Sequence, residues 1–127
     1  MKIVFDTYAW VEYLKGSEIG EKATQILESQ ENEIFTSIIT VVELASILKR
    51  GDKDTELGYK IVKDLSKIHF IDLELAKEAG ILHAETRKKI KDFGIVDCLI
   101  LLTARKLNAN ILTGDPHFKG FKEAILI

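Results

Sequence analysis

Short apolar runs typical of strands alternate with longer amphipathic segments along this chain, and this alternation limits its fold most strongly. Residues 3–5, Ile-Val-Phe, are β-branched and aromatic, which is typical of a strand buried on both faces. Further strands are predicted at residues 33–36, 68–71, 110–113 and 124–126. Strands that alternate with helices form parallel sheets covered by helices, so we predict an α/β fold. We expect a three-layer α/β/α sandwich whose mainly parallel sheet has about five strands.

Segments with helical periodicity separate the predicted strands. Helices are predicted over residues 17–31, 37–50, 54–66, 72–91 and 95–107. Ser17 and Asp72 can cap two of them, and Gly51 follows the end of another, as glycine commonly does. A chain of 127 residues is long enough to bury one core, so we expect residues 1–127 to form a single domain.

Charge and cysteine content limit the classes of function. The formal net charge is -2, so the molecule as a whole is not a general binder of polyanions. Nucleic acid would have to be held by a local basic patch or by metal ions. The single cysteine, Cys98, excludes an internal disulfide and a zinc site built from cysteines. We recognise no signal peptide and no apolar stretch that spans a bilayer, and we therefore expect a cytoplasmic protein without a membrane partner.

Four acidic residues occupy positions that favour a binding site. Asp6 directly follows the first predicted strand and Asp115 follows the fourth, and parallel sheets bind ligands at the carboxyl ends of their strands. Glu43 lies among apolar residues of a predicted helix, and Asp97 lies near the start of a helix that is apolar nearly all round. If the four carboxylates converge, a hard divalent cation relieves their repulsion. Ligands that are all oxygen favour Mg²⁺ or Mn²⁺ over zinc.

Each of these acids also has a simpler interpretation. Asp6 can cap the segment after the first strand, and Glu43 can be a partly exposed acid on its helix. Asp97 can complement a helix dipole, and Asp115 can be a turn residue within Gly-Asp-Pro. The case for a site therefore rests on the joint order and placement of the four acids.

The same residues carry a resemblance to a known family. Over nearly its whole length, the chain resembles the PIN-domain nucleases, and in particular the VapC-type toxins of prokaryotic toxin–antitoxin pairs. The resemblance rests on IVFDT at residues 3–7, TVVEL at 40–44, VDCLI at 96–100 with Ala104, and ILTGD at 111–115 with Phe118. The chain departs from the pattern at Tyr8, where many relatives have a small residue, and at Cys98, where alanine is common. Neither departure removes an acid.

The resemblance implies an activity, a set of ligands and two protein partners. It implies an endoribonuclease toxin that hydrolyses RNA phosphodiesters with water activated by Mg²⁺ or Mn²⁺. Asp6 and Asp97 resemble the direct metal ligands of the family, and Glu43 and Asp115 resemble the acids that complete the site, directly or through water. The family also implies a homodimer and a cognate antitoxin protein that blocks the site.

Hydroxyl and basic side chains have weaker claims to a role. By resemblance, Thr7 and Thr113 supply hydroxyls that orient carboxylates. A dense basic run precedes the predicted helix at residues 95–107. It can hold RNA phosphates near the metal, or it can be a solvated helix face; its members are Arg87, Lys88, Lys89 and Lys91.

Four other side chains have open roles. Tyr8 and Trp10 can stack on a base, or they can pack in the core or at a dimer interface. His117 is close in sequence to Asp115 and can touch substrate. Cys98 is interpreted as a small core residue, since no catalytic histidine is placed for it. We expect replacement of His117 or Cys98 by alanine to leave cleavage nearly intact.

Two other functions remain as alternatives. A phosphoacceptor signalling domain also gathers acids on a parallel sheet, and Asp72 follows a predicted strand as its acceptor would. The later segments, however, lack the matching threonine and lysine. A phosphatase that starts with Asp-x-Asp is excluded by Tyr8. A PIN fold that serves as a non-catalytic binding module is the other alternative, and the presence of all four acids argues against it.

Overall fold

One sheet of five parallel strands forms the centre of the computed structural model, which describes residues 1–127. The strands are β1 (Lys2–Phe5), β2 (Glu33–Ser37), β3 (Lys67–His69), β4 (Asn110–Thr113) and β5 (Ala124–Leu126). Their order across the sheet is β3-β2-β1-β4-β5, and every neighbouring pair is parallel. The predicted α/β class and the predicted sheet are confirmed.

Six α-helices and one short 3₁₀ helix connect the strands. They are α1 (Thr7–Lys15), α2 (Glu18–Glu28), α3 (Ile38–Arg50), α4 (Thr55–Leu65), α5 (Leu73–Thr86), α6 (Ile95–Leu107) and the 3₁₀ helix Pro116–Phe118. The side chains of Ser17, Ser37, Asp54 and Asp72 cap α2 to α5 by accepting backbone N–H groups. None of the helices combines the length and hydropathy that a membrane-spanning segment requires.

Helices cover both faces of the sheet and bury two apolar clusters. Alternate residues of a strand point to opposite faces, so Ile3 and Phe5 pack beneath α1 to α4, whereas Val4 packs beneath α5 and α6. The first cluster also contains Trp10 of α1, and the second contains Leu101 of α6. The predicted three-layer arrangement is therefore confirmed.

The strand order reverses at β1, and this reversal determines where a crevice forms. β1 pairs with β2 on one side and with β4 on the other, with Phe5 opposite Leu112. Connections leave the two neighbouring strands in opposite directions, which leaves a crevice at their carboxyl ends. Asp6 and Asp115 follow β1 and β4, so both lie at this crevice.

Two helices differ from the sequence prediction. No helix is predicted directly after β1, yet α1 occupies Thr7–Lys15; its aromatic and β-branched residues have low helix propensity, and packing overrides it. α5 ends at Thr86 instead of residue 91, because the chain turns to bury Phe93. The Phe93 ring lies 5.2 Å from that of Phe118 and 5.1 Å from that of Phe121. The basic run after Thr86 therefore lies in a turn and not on a helix face.

Smaller differences concern the ends of two elements. α2 ends at Glu28 where the prediction extends to residue 31, and β3 ends at His69 where the prediction extends to residue 71. Both differences are of the size expected for element boundaries, since helix ends fray and edge strands are short.

Candidate metal centre

One cleft at the carboxyl ends of β1 and β4 contains all four acids singled out from the sequence. It has a volume of about 510 Å³. Its lining includes Asp6, Glu43, Asp97 and Asp115, together with Thr7, Tyr8 and Gly114. Four distant parts of the chain thus bring their carboxylates to one place.

Asp6 is the buried acid of the cleft, with 8% of its surface exposed. It caps α1, because its Oδ1 accepts a hydrogen bond of 2.9 Å from the Ala9 N–H. Burial raises the pKa of its carboxyl from 3.8 to about 6; the Thr113 hydroxyl and the Ala9 N–H lower the pKa, while the negative charges of Asp115 and Asp97 raise it further. Without a nearby cation, the charged form of Asp6 is therefore less favourable than that of a solvent-exposed aspartate.

Asp97 lies in the first turn of α6 and is half-buried. Its Oδ2 accepts a hydrogen bond of 2.9 Å from the Gly94 N–H, which fixes the side chain against the helix N-terminus. Burial is the main cause that raises the pKa of Asp97, and the charges of Asp115 and Glu43 raise it as well. The Gly94 N–H and the side chain of His117 oppose these effects.

Glu43 reaches the cleft from α3, where it is partly buried. Its Oε1 accepts a hydrogen bond of 2.6 Å from the hydroxyl of Thr7, the first residue of α1. This bond joins α3 to the segment that carries Asp6. Thr7 therefore orients the carboxylate of Glu43 in the cleft.

Asp115 precedes the 3₁₀ helix and is held by its neighbours in sequence. Its Oδ1 accepts a hydrogen bond of 2.9 Å from the His117 N–H, and its own N–H donates to Oγ1 of Thr113 at 3.0 Å. Thr113 is fully buried, and its side chain also lowers the pKa of Asp6. Its hydroxyl therefore interacts with both Asp6 and Asp115.

His117 lies among these acids. The sequence analysis noted that it is close to Asp115 but did not include it among the possible metal ligands. Its Nδ1 lies 2.8 Å from Oδ1 of Asp115. One ligand atom each from Asp97, Asp115 and His117 lie within 4.8 Å of one another, a spacing at which they can share a metal ion. The proximity of His117 and Asp115 in sequence was the one available signal.

The donor set of the cleft fits a divalent cation. No lysine or arginine lies within ion-pair distance of Asp6, Glu43, Asp97 or Asp115, although seven ion pairs occur elsewhere or at His117. Four carboxylates that share one cleft without a lysine or arginine partner repel one another, and a buried charge is costly unless it is paired or binds a metal. Carboxylate oxygens are the ligands that Mg²⁺ and Mn²⁺ prefer.

The predicted basic residues do not line the cleft. Arg87, Lys88, Lys89 and Lys91 are all exposed. They lie in the turn that connects α5 to α6, and α6 carries Asp97 in its first turn. They flank the N-terminal end of that helix.

Of the residues whose roles the sequence left open, two are buried in the core and one lines the cleft. Trp10 is fully buried, and its indole N–H donates to the hydroxyl of Thr36 at 3.0 Å, so it belongs to the core. Cys98 is also fully buried among apolar residues. Tyr8, in contrast, lines the cleft and is 36% exposed.

Comparison with known sequences identifies one family. A sequence model of the PIN domain matches residues 3–124. Among curated proteins, no sequence matches this chain.

Solved structures with a similar fold include several toxins and their complexes. A toxin–antitoxin complex from Klebsiella pneumoniae is similar at 22% identity with a TM-score of 0.73, over 97% of this chain and 95% of that one. VapC20 of Mycobacterium tuberculosis, described as a toxin that cleaves the sarcin–ricin loop, is similar at 19% identity with a TM-score of 0.75, over 95% and 97%. VapBC2 from Rickettsia felis, bound to a DNA fragment from its promoter, is similar at 23% identity with a TM-score of 0.74, over 100% and 98%. At these identities, the similarity shows a shared fold.

Proposed function

The chain belongs to the PIN-domain family, and on this basis we propose that it is a metal-dependent endoribonuclease that acts as the toxin of a toxin–antitoxin pair. The observation that carries the proposal is the convergence of four carboxylates, without a lysine or arginine partner, in one cleft of about 510 Å³. A phosphodiester is itself an anion, so such a cleft binds it only with a cation. In this proposal, residues 1–127 form one nuclease domain.

The residues of the cleft divide into ligands and residues that orient them. We assign Asp6 and Asp97 as direct ligands of Mg²⁺ or Mn²⁺, with Glu43 and Asp115 as acids that complete the site directly or through water. Thr7 and Thr113 orient carboxylates; the hydrogen bond of 2.6 Å from Thr7 to Glu43 supports this role.

The chemistry expected of the site is hydrolysis of the phosphodiester by water. A bound divalent cation lowers the pKa of water and stabilises the negative charge on the phosphate oxygens. Thr7 occupies Oε1 of Glu43, which leaves Oε2 available to accept a proton from the attacking water. The N–H of Gly94 holds Asp97 in one orientation, which reduces the entropy lost when the site assembles.

The exposed basic turn is proposed to hold RNA phosphates outside the cleft. Arg87, Lys88, Lys89 and Lys91 flank the start of α6, and each phosphate that they neutralise releases counterions. Because the net charge is -2, attraction of RNA depends on such a local patch or on bound metal ions.

The proposed antitoxin would bind at an apolar groove. A groove of about 370 Å³ between α3 and α4 is lined mainly by apolar side chains, among them Val41, Leu48 and Tyr59. An amphipathic helix fits a groove of this kind, and a basic side chain beyond its end would reach the acids. The similarity to a Klebsiella pneumoniae toxin–antitoxin complex supports a protein partner.

Cleavage of RNA by purified protein tests the proposed activity. We expect cleavage with Mg²⁺ or Mn²⁺ and none with excess chelator. Asp97→Asn keeps the size of the side chain but removes one charge, and it should lower the rate about 100-fold or more, because several kcal/mol of stabilisation depend on the cation. Cys98→Ala changes the adjacent, fully buried residue of α6 and should cleave at the parent rate. Full activity in chelator, or equal rates for Asp97→Asn and Cys98→Ala, would rule out the proposed site.

A further inference from the structure

Tyr8 is the one aromatic side chain of the carboxylate cleft that solvent reaches. It is 36% exposed, whereas Phe118, the other aromatic residue of the lining, is 1% exposed. Its hydroxyl makes no hydrogen bond to the rest of the chain, in contrast to the buried indole of Trp10 two residues later. No polar contact within the chain therefore accounts for the hydroxyl of this partly exposed tyrosine.

The Tyr8 ring lies directly against the backbone of Gly114. A Cβ on Gly114 would collide with three atoms of the ring, so only glycine allows this close approach. Gly114 immediately precedes Asp115, and Tyr8 lies two residues after Asp6. The ring thus projects from the first turn of α1 and packs on the residue that precedes Asp115.

We propose that Tyr8 stacks on the nucleobase of a nucleotide that adjoins the cleaved phosphate. This inference rests on the proposed ribonuclease function and assigns Tyr8 a role in positioning its substrate. In this proposal the acids and their cation bind the phosphate, and the exposed part of the Tyr8 ring, at the same cleft, contacts the attached base. A base that is paired and stacked in an A-form helix cannot lie on a protein ring, so the contact requires an unpaired base.

Stacking has a particular value at this site. The basic side chains lie outside the cleft, and the acids bind phosphate only through their cation, so a contact that does not depend on charge helps to position the nucleotide. Stacking of a base on an aromatic side chain changes affinity by about 5- to 150-fold when the ring is replaced by alanine, and every base offers a face for it. We therefore expect dependence on the presence of a base more than on its identity.

A scan with abasic RNA tests the inference. Short single-stranded RNAs, each with one abasic nucleotide, are cleaved with Mg²⁺, and kcat/KM is measured for each position. The parent protein should show one position next to the cleaved bond at which loss of the base lowers kcat/KM by about 5- to 150-fold. In Tyr8→Ala, the intact RNA should be slowed to the same extent, and removal of that base should cause no further loss. If the two losses multiply, the ring and the base do not interact and the inference is wrong.

Two further variants separate stacking from bulk. Tyr8→Phe keeps the ring and loses only the unpaired hydroxyl, so it should behave as the parent. Tyr8→Leu keeps an apolar side chain without an aromatic face, so it should resemble Tyr8→Ala. Equal activity of Tyr8→Leu and the parent on intact RNA would contradict stacking.

Photocrosslinking supplies a readout that does not require cleavage. RNA that carries 5-iodouridine at the sensitive position, or at each position in turn if no cleavage is seen, is irradiated with the protein and Mg²⁺. The crosslinked residue is then identified by mass spectrometry, and we expect Tyr8. Crosslinks elsewhere, with none at Tyr8, overturn the inference, as does a Tyr8→Ala variant whose only change is its oligomeric state. A parent protein that crosslinks RNA at Tyr8 but cuts none would refute the nuclease proposal and leave the base contact standing.

Discussion

Asp6 is the residue whose burial is hardest to explain without a cation. The residue is 8% exposed, the pKa of its carboxyl is raised to about 6, and the largest cause of the increase is burial. Its folded pKa exceeds its unfolded value of about 3.8, so the folded state binds the proton more tightly. The stability that the protonated carboxyl confers is fully present below pH 3.8 and is lost as the pH rises through about 6.

Removal of this charge should stabilise the metal-free protein. We expect Asp6→Asn to raise the free energy of unfolding in chelator at pH 7 by up to about 3 kcal/mol, since raising the pKa of the carboxyl by about two units costs roughly that amount. The gain should shrink between pH 6 and pH 4, where the parent carboxyl becomes protonated. Thermal unfolding of both proteins across this pH range is the measurement.

Added metal supplies the control for that experiment. If the cleft binds Mg²⁺ as proposed, the ion should stabilise the parent and do so less for Asp6→Asn, because a ligand that binds only the folded state raises its stability. A variant that is less stable than the parent in chelator at pH 7 would show that the carboxylate is compensated within the protein, against the account of the site.

Residue types and order sufficed to find the acids, but not their surroundings. Asp6 and Asp115 could be placed because each follows a strand, and parallel strands end at one edge. His117 could not be included, because its contact with Asp115 depends on the geometry of the 3₁₀ helix. Tyr8 is exposed at the cleft and Trp10 is buried in the core because of how α1 is oriented on the sheet, and this helix was not predicted.

At the scale of elements, α1 and α2 pack unusually closely, and Gly20 is the reason. A Cβ on Gly20 would overlap the backbone carbonyl of Glu12 on α1. Gly20→Ala should therefore force the two helices apart and destabilise the protein by about 1–3 kcal/mol. Chemical denaturation with urea measures this change.

Gly80 of α5 is the matched control. It is exposed, and no atom lies within 4 Å of a Cβ built on it. Gly80→Ala should stabilise the protein by about 0.5–1 kcal/mol, because glycine loses more backbone entropy in a helix than alanine. Equal effects of the two substitutions would refute the close packing of α1 on α2.

The elements that the sequence predicts best are those whose burial is unambiguous. β1 and β4 are short, apolar and almost wholly buried, and their predicted bounds agree with the structure to within one residue. α1 and the end of α5 were missed because tertiary contacts decide them. Phe93 must reach the aromatic cluster with Phe118, and a turn after Thr86 is what allows it.

For the whole molecule, we predict a homodimer. Phe70 and Leu73, three residues apart in sequence, are 69% and 86% exposed, and apolar surface of this kind commonly marks an interaction site. Burial of this surface against a second copy would remove it from water. Light scattering at micromolar concentration should give twice the mass of one chain. Leu73→Glu should shift the equilibrium to the monomer, because a buried, unpaired charge is costly.

Leu57→Glu is the control for the dimer. Leu57 is 54% exposed on α4, away from α5, and the variant should remain dimeric. A parent protein that is monomeric at these concentrations would contradict the homodimer but leave the cleft and its chemistry unaffected.

The chemical ends of the RNA products test the central claim most directly. If carboxylates and a divalent cation direct water to the phosphorus, the ribose 2′-hydroxyl takes no part in bond cleavage. Products made by the parent protein with Mg²⁺ should then carry 5′-phosphate and 3′-hydroxyl ends, and the same reaction in chelator should yield none. Mass spectrometry of a defined oligonucleotide after cleavage distinguishes these ends. Products that carry a 2′,3′-cyclic phosphate and a 5′-hydroxyl would show that the 2′-hydroxyl attacks, and would contradict the account.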